Sequence, residues 1–190
     1  MNQTSDALII EAVLSGNKDA YGQLVDRYKN PLFNLVFRMT SSVETAQDLS
    51  QEAFIRAFTN LHRYKLENSF FTWLYTICLN LTRNHLTKKR EVLMGRNENF
   101  TANDTYAMGN NPSPENLLIA QQAVRNLEKT MRLVPMDLRE AVVLRYMQEL
   151  PFNEVAQILG ISLSAAKMRV YRGLEKLRSL MGAEKGGKDG

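Results

Sequence analysis

The chain has 190 residues, 44% of them hydrophobic, which is enough apolar side chain for packed cores and argues against wholesale disorder. Its one cysteine, Cys78, excludes an internal disulfide, and the N-terminus "MNQTSDALIIEAVLSG" lacks the cationic start and long apolar run of a signal peptide. The net charge is a modest +4, no run of apolar residues is long enough to cross a membrane, and we expect a cytoplasmic protein.

The first block of the chain predicts four helices and no strand. Helical spacing of apolar residues places them at about 5–15, 18–40, 43–61 and 69–88, with Ser42 as the N-cap of the third. In the fourth helix Trp73 and Cys78 have the spacing of core residues. No segment shows the alternating β-branched pattern of a strand.

A change of composition divides the chain in two. Residues 95–116 contain six Asn, two Gly and two Pro but no Leu, Ile or Val, which predicts a flexible linker. Four more helices follow at about 117–134, 137–148, 153–159 and 163–181, and residues 183–190 read as a frayed tail. We therefore predict an all-α protein, with domains at 1–94 and 117–182.

Cations concentrate in two places. Residues 83–96 carry five Lys or Arg against one carboxylate, and residues 163–180 carry the same numbers. The remainder of the chain is therefore mildly acidic. Two separate basic clusters suggest two contacts with a polyanion.

The segment "FNEVAQILGISLSAAKMRVYRGLEKL" has the pattern of a helix-turn-helix. Gly160 can end the first helix in the left-handed conformation, and Ser162 can cap the second. Five apolar residues of the second helix define its buried face: Ala166, Val170, Leu174, Leu177 and Met181. The opposite face offers the donors, cations and aromatic ring suited to a DNA major groove, on Ser164, Lys167, Met168, Tyr171, Arg172 and Glu175.

Three longer stretches resemble bacterial RNA polymerase sigma factors. "RYKNPLFNLVFRMTSSVETAQDLSQEAFIRAFTNLHRY" and "SFFTWLYTICLNLTRNHLTKKR" are similar to sigma region two, and "LVPMDLREAVVLRYMQELPFNEVAQILG" with the segment after it is similar to region four. The two blocks and the short linker resemble the extracytoplasmic-function subgroup. The resemblance implies a subunit that directs core polymerase to promoters and helps to open the DNA.

The resemblance also implies a role for residues of the first block. The helix containing "AQDLSQEAF" matches the surface by which sigma factors bind core polymerase, and its candidate residues are Asp48, Leu49, Gln51, Glu52 and Arg56. Segment 69–90 matches the part that recognises and opens the minus-ten element. Aromatic rings can stack there on unpaired bases, while amides and cations bind base edges and phosphates. The candidates are Phe70, Phe71, Asn80, Arg83, Asn84, Lys88, Lys89 and Arg90, whereas Trp73 is expected to be mostly packing.

In the second block the resemblance places the recognition helix at the minus-thirty-five element. Its candidate residues are Ser164, Lys167, Met168, Arg169, Tyr171 and Arg172, with Arg145 and Phe152 as supports from outside the helix. Met168 stands where the family often has a small hydroxyl, so the DNA sequence that is read does not carry over. Arg169 could contact a phosphate rather than a base.

Core polymerase and promoter DNA are therefore the expected partners, with an anti-sigma factor added by family analogy alone. We expect no cofactor, metal, small-molecule substrate or catalysis, because His62 and His85 are isolated and the motifs of zinc, phosphate and dinucleotide sites are missing. Two alternatives stay open. One is a helix-turn-helix regulator that acts on an operator without polymerase, and the other is an anti-sigma or scaffold protein that binds protein only.

Overall fold

The computed structural model describes residues 5–65, 69–96, 126–127 and 129–186. The chain forms two compact units, residues 1–100 and 101–190. Within the described residues every regular element is helical, which confirms the predicted all-α class. None of the helices among them is long and apolar enough to span a bilayer.

The described residues of the first unit form four α-helices. They are α1 (Asp6–Leu14), α2 (Tyr21–Thr40), α3 (Val43–Thr59) and α4 (Phe70–Arg96), with short 3-10 turns at Lys18–Ala20 and Leu61–Arg63. The helix predicted at 18–40 thus begins with a 3-10 turn. The helix predicted at 69–88 continues to Arg96, so the predicted linker start at 95 falls inside α4. The remainder of the predicted linker lies outside the described residues.

Local side-chain bonds explain where these helices begin and end. Ser42 accepts a hydrogen bond from the backbone N–H of Thr45 at 3.2 Å, which confirms it as the N-cap of α3. Immediately before it, Ser41 takes the left-handed conformation with φ 52° and ends α2. The chain therefore reverses between α2 and α3 within two residues, and the two helices pack together.

The core of the first unit lies between α2, α3 and α4. Leu24, Leu32, Leu35 and Val36 of α2 are fully buried, and so are Ala46, Ala53 and Ala57 of α3 and Leu74, Cys78 and Leu79 of α4. The small alanines of α3 allow its neighbours to approach closely. Tyr28 of α2 is only partly buried, and its hydroxyl donates to the Asp6 carboxylate at the edge of the core.

The second unit contains the remaining helices. Helical residues 126–127 and 129–133 (α5) precede α6 (Met136–Val142), a π-helical turn (Val143–Met147), α7 (Phe152–Leu159) and α8 (Leu163–Gly186). The helix predicted at 137–148 therefore ends as a π turn rather than as regular α-helix. Of the helix predicted at 117–134, residues 117–125 lie outside the described part.

The predicted helix-turn-helix is present as α7, a short turn and α8. Gly160 has φ 66° and ψ 36°, so it ends α7 in the left-handed conformation as expected. Ser162 accepts a hydrogen bond from the N–H of Ala165 at 3.2 Å and caps α8. Ala166, Val170 and Leu177 of α8 are buried and Leu174 is partly so. Met181 is exposed, and its assignment to the buried face was wrong because α8 extends past the rest of the unit's core.

Candidate functional sites

One face of α8, here called the reading face, is open to solvent in the second unit and consists of Ser164, Lys167, Met168, Tyr171, Arg172 and Glu175. Met168 is 53% exposed and Tyr171 59% exposed, and Ser164, Lys167 and Arg172 are exposed beside them. The apolar residues of α8 turn away from this face toward α6 and α7. The helix therefore presents polar, cationic and aromatic groups outward on a rigid support, as the sequence predicted.

Phe152, the first residue of α7, joins this face to the π turn. Its ring centre lies 6.4 Å from that of Tyr171, 6.0 Å from the Lys167 ammonium nitrogen and 5.1 Å from the guanidinium carbon of Arg145. Arg145 also donates to the backbone carbonyl of Leu150 at 3.1 Å. Four of the predicted residues thus form one cluster.

Arg169 lies apart from that cluster. Its Nε is 4.0 Å from a carboxylate oxygen of Asp137 at the start of α6, and its side chain is only one-third exposed. Arg169 lies two residues before Tyr171, a little over half a helical turn, so the two side chains leave α8 on different sides. The structure therefore places Arg169 at the side of the reading face.

Aromatic rings cluster around the start of α4 in the first unit. Phe70 is only 2% exposed, and its ring lies between those of Tyr28, Tyr64 and Trp73, so it packs in the core. Phe71 is partly exposed and lies 4.1 Å from the Tyr75 ring, centre to centre. Of the two phenylalanines predicted to contact DNA, only Phe71 offers surface in this conformation. Trp73 packs on Tyr64 and Phe70 and keeps part of its surface exposed.

The polar candidates of α4 occupy more than one side of the helix. Arg83 donates to the Asn80 amide oxygen at 3.0 Å. Asn84 and Lys88 follow Asn80 at steps of four and are exposed, as is Arg90. Lys89 lies on the other side, near His85, where partial burial, and then the Lys89 charge, lower the His85 pKa. The structure therefore separates Lys89 from the face that contains Asn80, Asn84 and Lys88.

The α3 candidates form an exposed polar flank. Asp48 and Gln51 are exposed, and Glu52 forms a 2.6 Å ion pair with Arg56 one turn later. Leu49 is partly buried. Glu52 and Arg56 thus already satisfy each other, which leaves Asp48 as the carboxylate of this set without a described ion-pair partner.

An apolar cleft next to this flank was missed by the sequence analysis. It has a volume of about 660 Å³ and lies between the start of α2 and α3, with Ile55 and Phe58 in its wall beside Gln51. Ile55 is 54% exposed and Phe58 37% exposed, although both side chains are large and apolar. The signal was present in the sequence, since Gln51, Ile55 and Phe58 follow one another at steps of four and three and share one side of the helix. Large apolar residues at helical spacing normally pack in a core, so the exposure of Ile55 and Phe58 was not predicted.

Family comparisons match both units. Sigma-70 region 2 matches residues 24–92, and Sigma-70 region 4 matches residues 124–177. The first match contains α3 and most of α4, and the second contains α7 and the first part of α8. These matches define a two-domain protein of the Sigma-70 class.

Individual relatives narrow the class further. The chain is 32% identical to the ECF RNA polymerase sigma factor SigW of Bacillus subtilis, over 89% of this chain and 92% of that protein. It is 30% identical to the RNA polymerase sigma-H factor of Pseudomonas aeruginosa, over 93% of this chain and 94% of that protein. The chain belongs to the ECF RNA polymerase sigma factors.

Solved structures share its fold. CnrH in complex with the cytosolic domain of CnrY matches with a TM-score of 0.70 and 23% identity, covering 95% of this chain and 99% of that one. The sigma factor RpoE in complex with the anti-sigma factor NepR from Bartonella quintana matches with a TM-score of 0.69 and 20% identity, covering 85% of this chain and 96% of that one.

Proposed function

We propose that the first unit binds core polymerase and the minus-ten element, while the second unit binds the minus-thirty-five element. The observation that carries the proposal is that each unit matches a different sigma region and also exposes its own cationic surface. The chain would act only by binding its partners, with no catalysis of its own. It would do so in the cytoplasm, where polymerase and promoter meet.

The polymerase contact is assigned to α3 and the cleft beside it. Asp48, Gln51, Glu52 and Arg56 supply a polar flank, and Leu49 supports it from below. Ile55 and Phe58 add exposed apolar area, which gains free energy when a partner covers it. A helical partner with cations opposite Asp48 and an apolar ridge over the cleft fits this surface.

The minus-ten contact is assigned to α4. Phe71 stands at the helix start with surface available for base stacking, which contributes about 1–3 kcal/mol per base. Asn80, Asn84 and Lys88 then follow on one face, with Arg83 and Arg90 next to it. Lys89 is assigned to a phosphate on the other side of the helix, and Phe70 is assigned to holding the aromatic cluster together.

The minus-thirty-five contact is assigned to the reading face of α8. Lys167 and Arg172 flank Met168 and Tyr171, and the exposed Glu175 follows Tyr171 one turn later, so cations border a centre that carries one carboxylate. Cations at the edges bind phosphates and fix the register, while side chains at the centre reach base edges. Ser164 lies near the start of the helix, Arg169 at its side, and Arg145 and Phe152 support the face from the neighbouring elements.

An anti-sigma factor is the further partner that we propose. RpoE, whose fold this chain shares, was solved with the anti-sigma factor NepR. A regulatory protein that covers the exposed apolar cleft of the first unit would keep core polymerase from binding there. Isolation of a protein that binds this chain and competes with core polymerase would support the proposal.

The experiment that tests the function is transcription in vitro by core polymerase on a library of promoter fragments. We expect transcripts from a small, defined subset of fragments only when the chain is added. If addition of the chain changes neither the number nor the identity of the transcripts, the proposed function is contradicted.

A further inference from the structure

Three elements of the second unit meet at one aromatic ring. Arg145 comes from the π turn, Phe152 from the start of α7, and Lys167 from α8, and both cations lie within about 6 Å of the Phe152 ring centre. Such distances are those of cation–π contacts. The ring of Tyr171 lies on the same cluster.

The cluster gathers positive charge that the protein does not neutralise. In the described part of the chain, no carboxylate lies within 4 Å of the charged nitrogens of Arg145 or Lys167. The buried Nε of Arg145 also has no hydrogen-bond partner there. Two cations held near one another repel, and an aromatic ring offsets only part of that repulsion. The arrangement is therefore suited to an anion.

The support under the cluster is rigid. Arg145 is tied to the Leu150 carbonyl, and Pro151 fixes the backbone immediately before Phe152. Long cationic side chains normally lose rotamer freedom when they bind a partner. Contacts that restrict them beforehand lower that cost at the moment of binding.

We propose that Phe152 is a positioning residue, whose ring pre-arranges Arg145 and Lys167 to bind neighbouring backbone phosphates of duplex DNA. This inference rests on the proposed function of the second unit and adds how two of its cations are arranged. Phe152 itself acts through the cations, because its ring is only partly exposed beneath them.

The test replaces the ring in three ways. Phe152→Tyr keeps a ring with a negative face, Phe152→Leu removes the ring, and Phe152→pentafluorophenylalanine keeps the shape but reverses the charge distribution of the ring. The probe is the duplex that the wild-type chain with core polymerase enriches from a randomised library. We expect the Leu and pentafluoro variants to bind it about three- to tenfold more weakly, and the Tyr variant to bind like the wild type.

Two readouts separate positioning from simple packing. The thermal unfolding of the pentafluoro variant should match that of the wild type, and its loss of affinity should disappear in a Lys167→Ala, Arg145→Ala background. Wild-type affinity of the pentafluoro variant, or an equal loss with and without the two cations, would overturn the inference. If Lys167→Ala with Arg172→Ala also leaves affinity unchanged, the assignment of α8 fails as well. If that pair weakens binding but the pentafluoro variant does not, only the role of Phe152 fails.

Discussion

Gly173 of α8 lies so close to Val142 of α6 that a β-carbon at position 173 would be 2.5 Å from the Val142 Cγ2 atom. The same β-carbon would be 3.1 Å from the carbonyl oxygen of Leu138. The two helices therefore cross at a point where only glycine fits. This crossing fixes the angle at which α8 presents its reading face.

We expect Gly173→Ala to destabilise the second unit by about 1–3 kcal/mol, because the added methyl group overpacks the helix crossing. Gly182→Ala is the matched control in the same helix, since a β-carbon there meets nothing within 4 Å. The control should be neutral or stabilising by up to about 1 kcal/mol, since alanine favours the helix. Chemical denaturation measures both, and equal stability of the two variants would contradict the close crossing.

Lys167→Ala combined with Arg172→Ala should weaken promoter binding by the chain with core polymerase. Loss of two phosphate or base contacts also predicts a shallower dependence of affinity on salt, by up to about two units of log–log slope. Lys129→Ala, which removes an exposed cation outside α8, is the control. Unchanged promoter-dependent transcription by the double variant would show that the reading face has been misplaced.

Asp48→Ala combined with Glu52→Ala should weaken binding to core polymerase and leave binding to naked DNA unaltered. The reason is that both carboxylates lie on the α3 flank, whereas the DNA contacts are assigned to α4 and α8. Glu11→Ala with Asp26→Ala removes the same charge from other exposed positions of the first unit and serves as the control. Titration of labelled core polymerase with each double variant measures its affinity. Equal affinity of the two double variants would show that α3 is not part of the interface.

Ile55→Ser combined with Phe58→Ser tests the apolar cleft separately. Ile55 is 54% exposed, but Phe58 is 37% exposed and its ring centre lies 4.9 Å from that of Tyr21, so the pair should cost the free chain some stability as well as weaken polymerase binding by about tenfold or more. Leu8→Ser, at an exposed apolar position of α1, is the control. Should the cleft variant bind core polymerase like the control, the polymerase contact would be limited to the polar flank.

Asp6→Asn should destabilise the first unit by about 1–3 kcal/mol, because the Asp6 carboxylate accepts hydrogen bonds from both Arg27 and Tyr28 and joins α1 to α2. Asp26→Asn is the control, since its ion pair with Lys29 is well exposed and close in sequence. That variant should change stability by less than about 1 kcal/mol. Thermal unfolding of both compares them, and a harmless Asp6→Asn would show that α1 is held by apolar contacts alone.

The sequence was sufficient to predict what depends on local pattern. Helical periodicity, the Ser42 cap and the pairing of Gly160 with Ser162 specify their structures within a few residues. The two basic clusters likewise marked α4 and α8. Phe152 was predicted only as a support for DNA binding, and only the structure shows that it lies beneath two cations.

What the sequence could not predict depends on contacts between distant residues. Phe70 and Phe71 are adjacent and chemically identical, yet the rings of Tyr64 and Trp73 surround the first and leave the second at the edge. Ile55 and Phe58 have the residue types of a core, but among the described residues they stay 54% and 37% exposed. Met181 keeps the spacing of a buried face but is 41% exposed, because α8 extends past the core of its unit.

The central claim is that this chain reads promoters as a subunit of the polymerase rather than by itself. The most direct measurement is the ratio of affinities for an enriched promoter fragment and a scrambled duplex, determined at one salt concentration with and without core polymerase. The account predicts a ratio near one for the chain alone and a large ratio once core polymerase is present. An equally large ratio without core polymerase would contradict it and would indicate an operator-binding regulator.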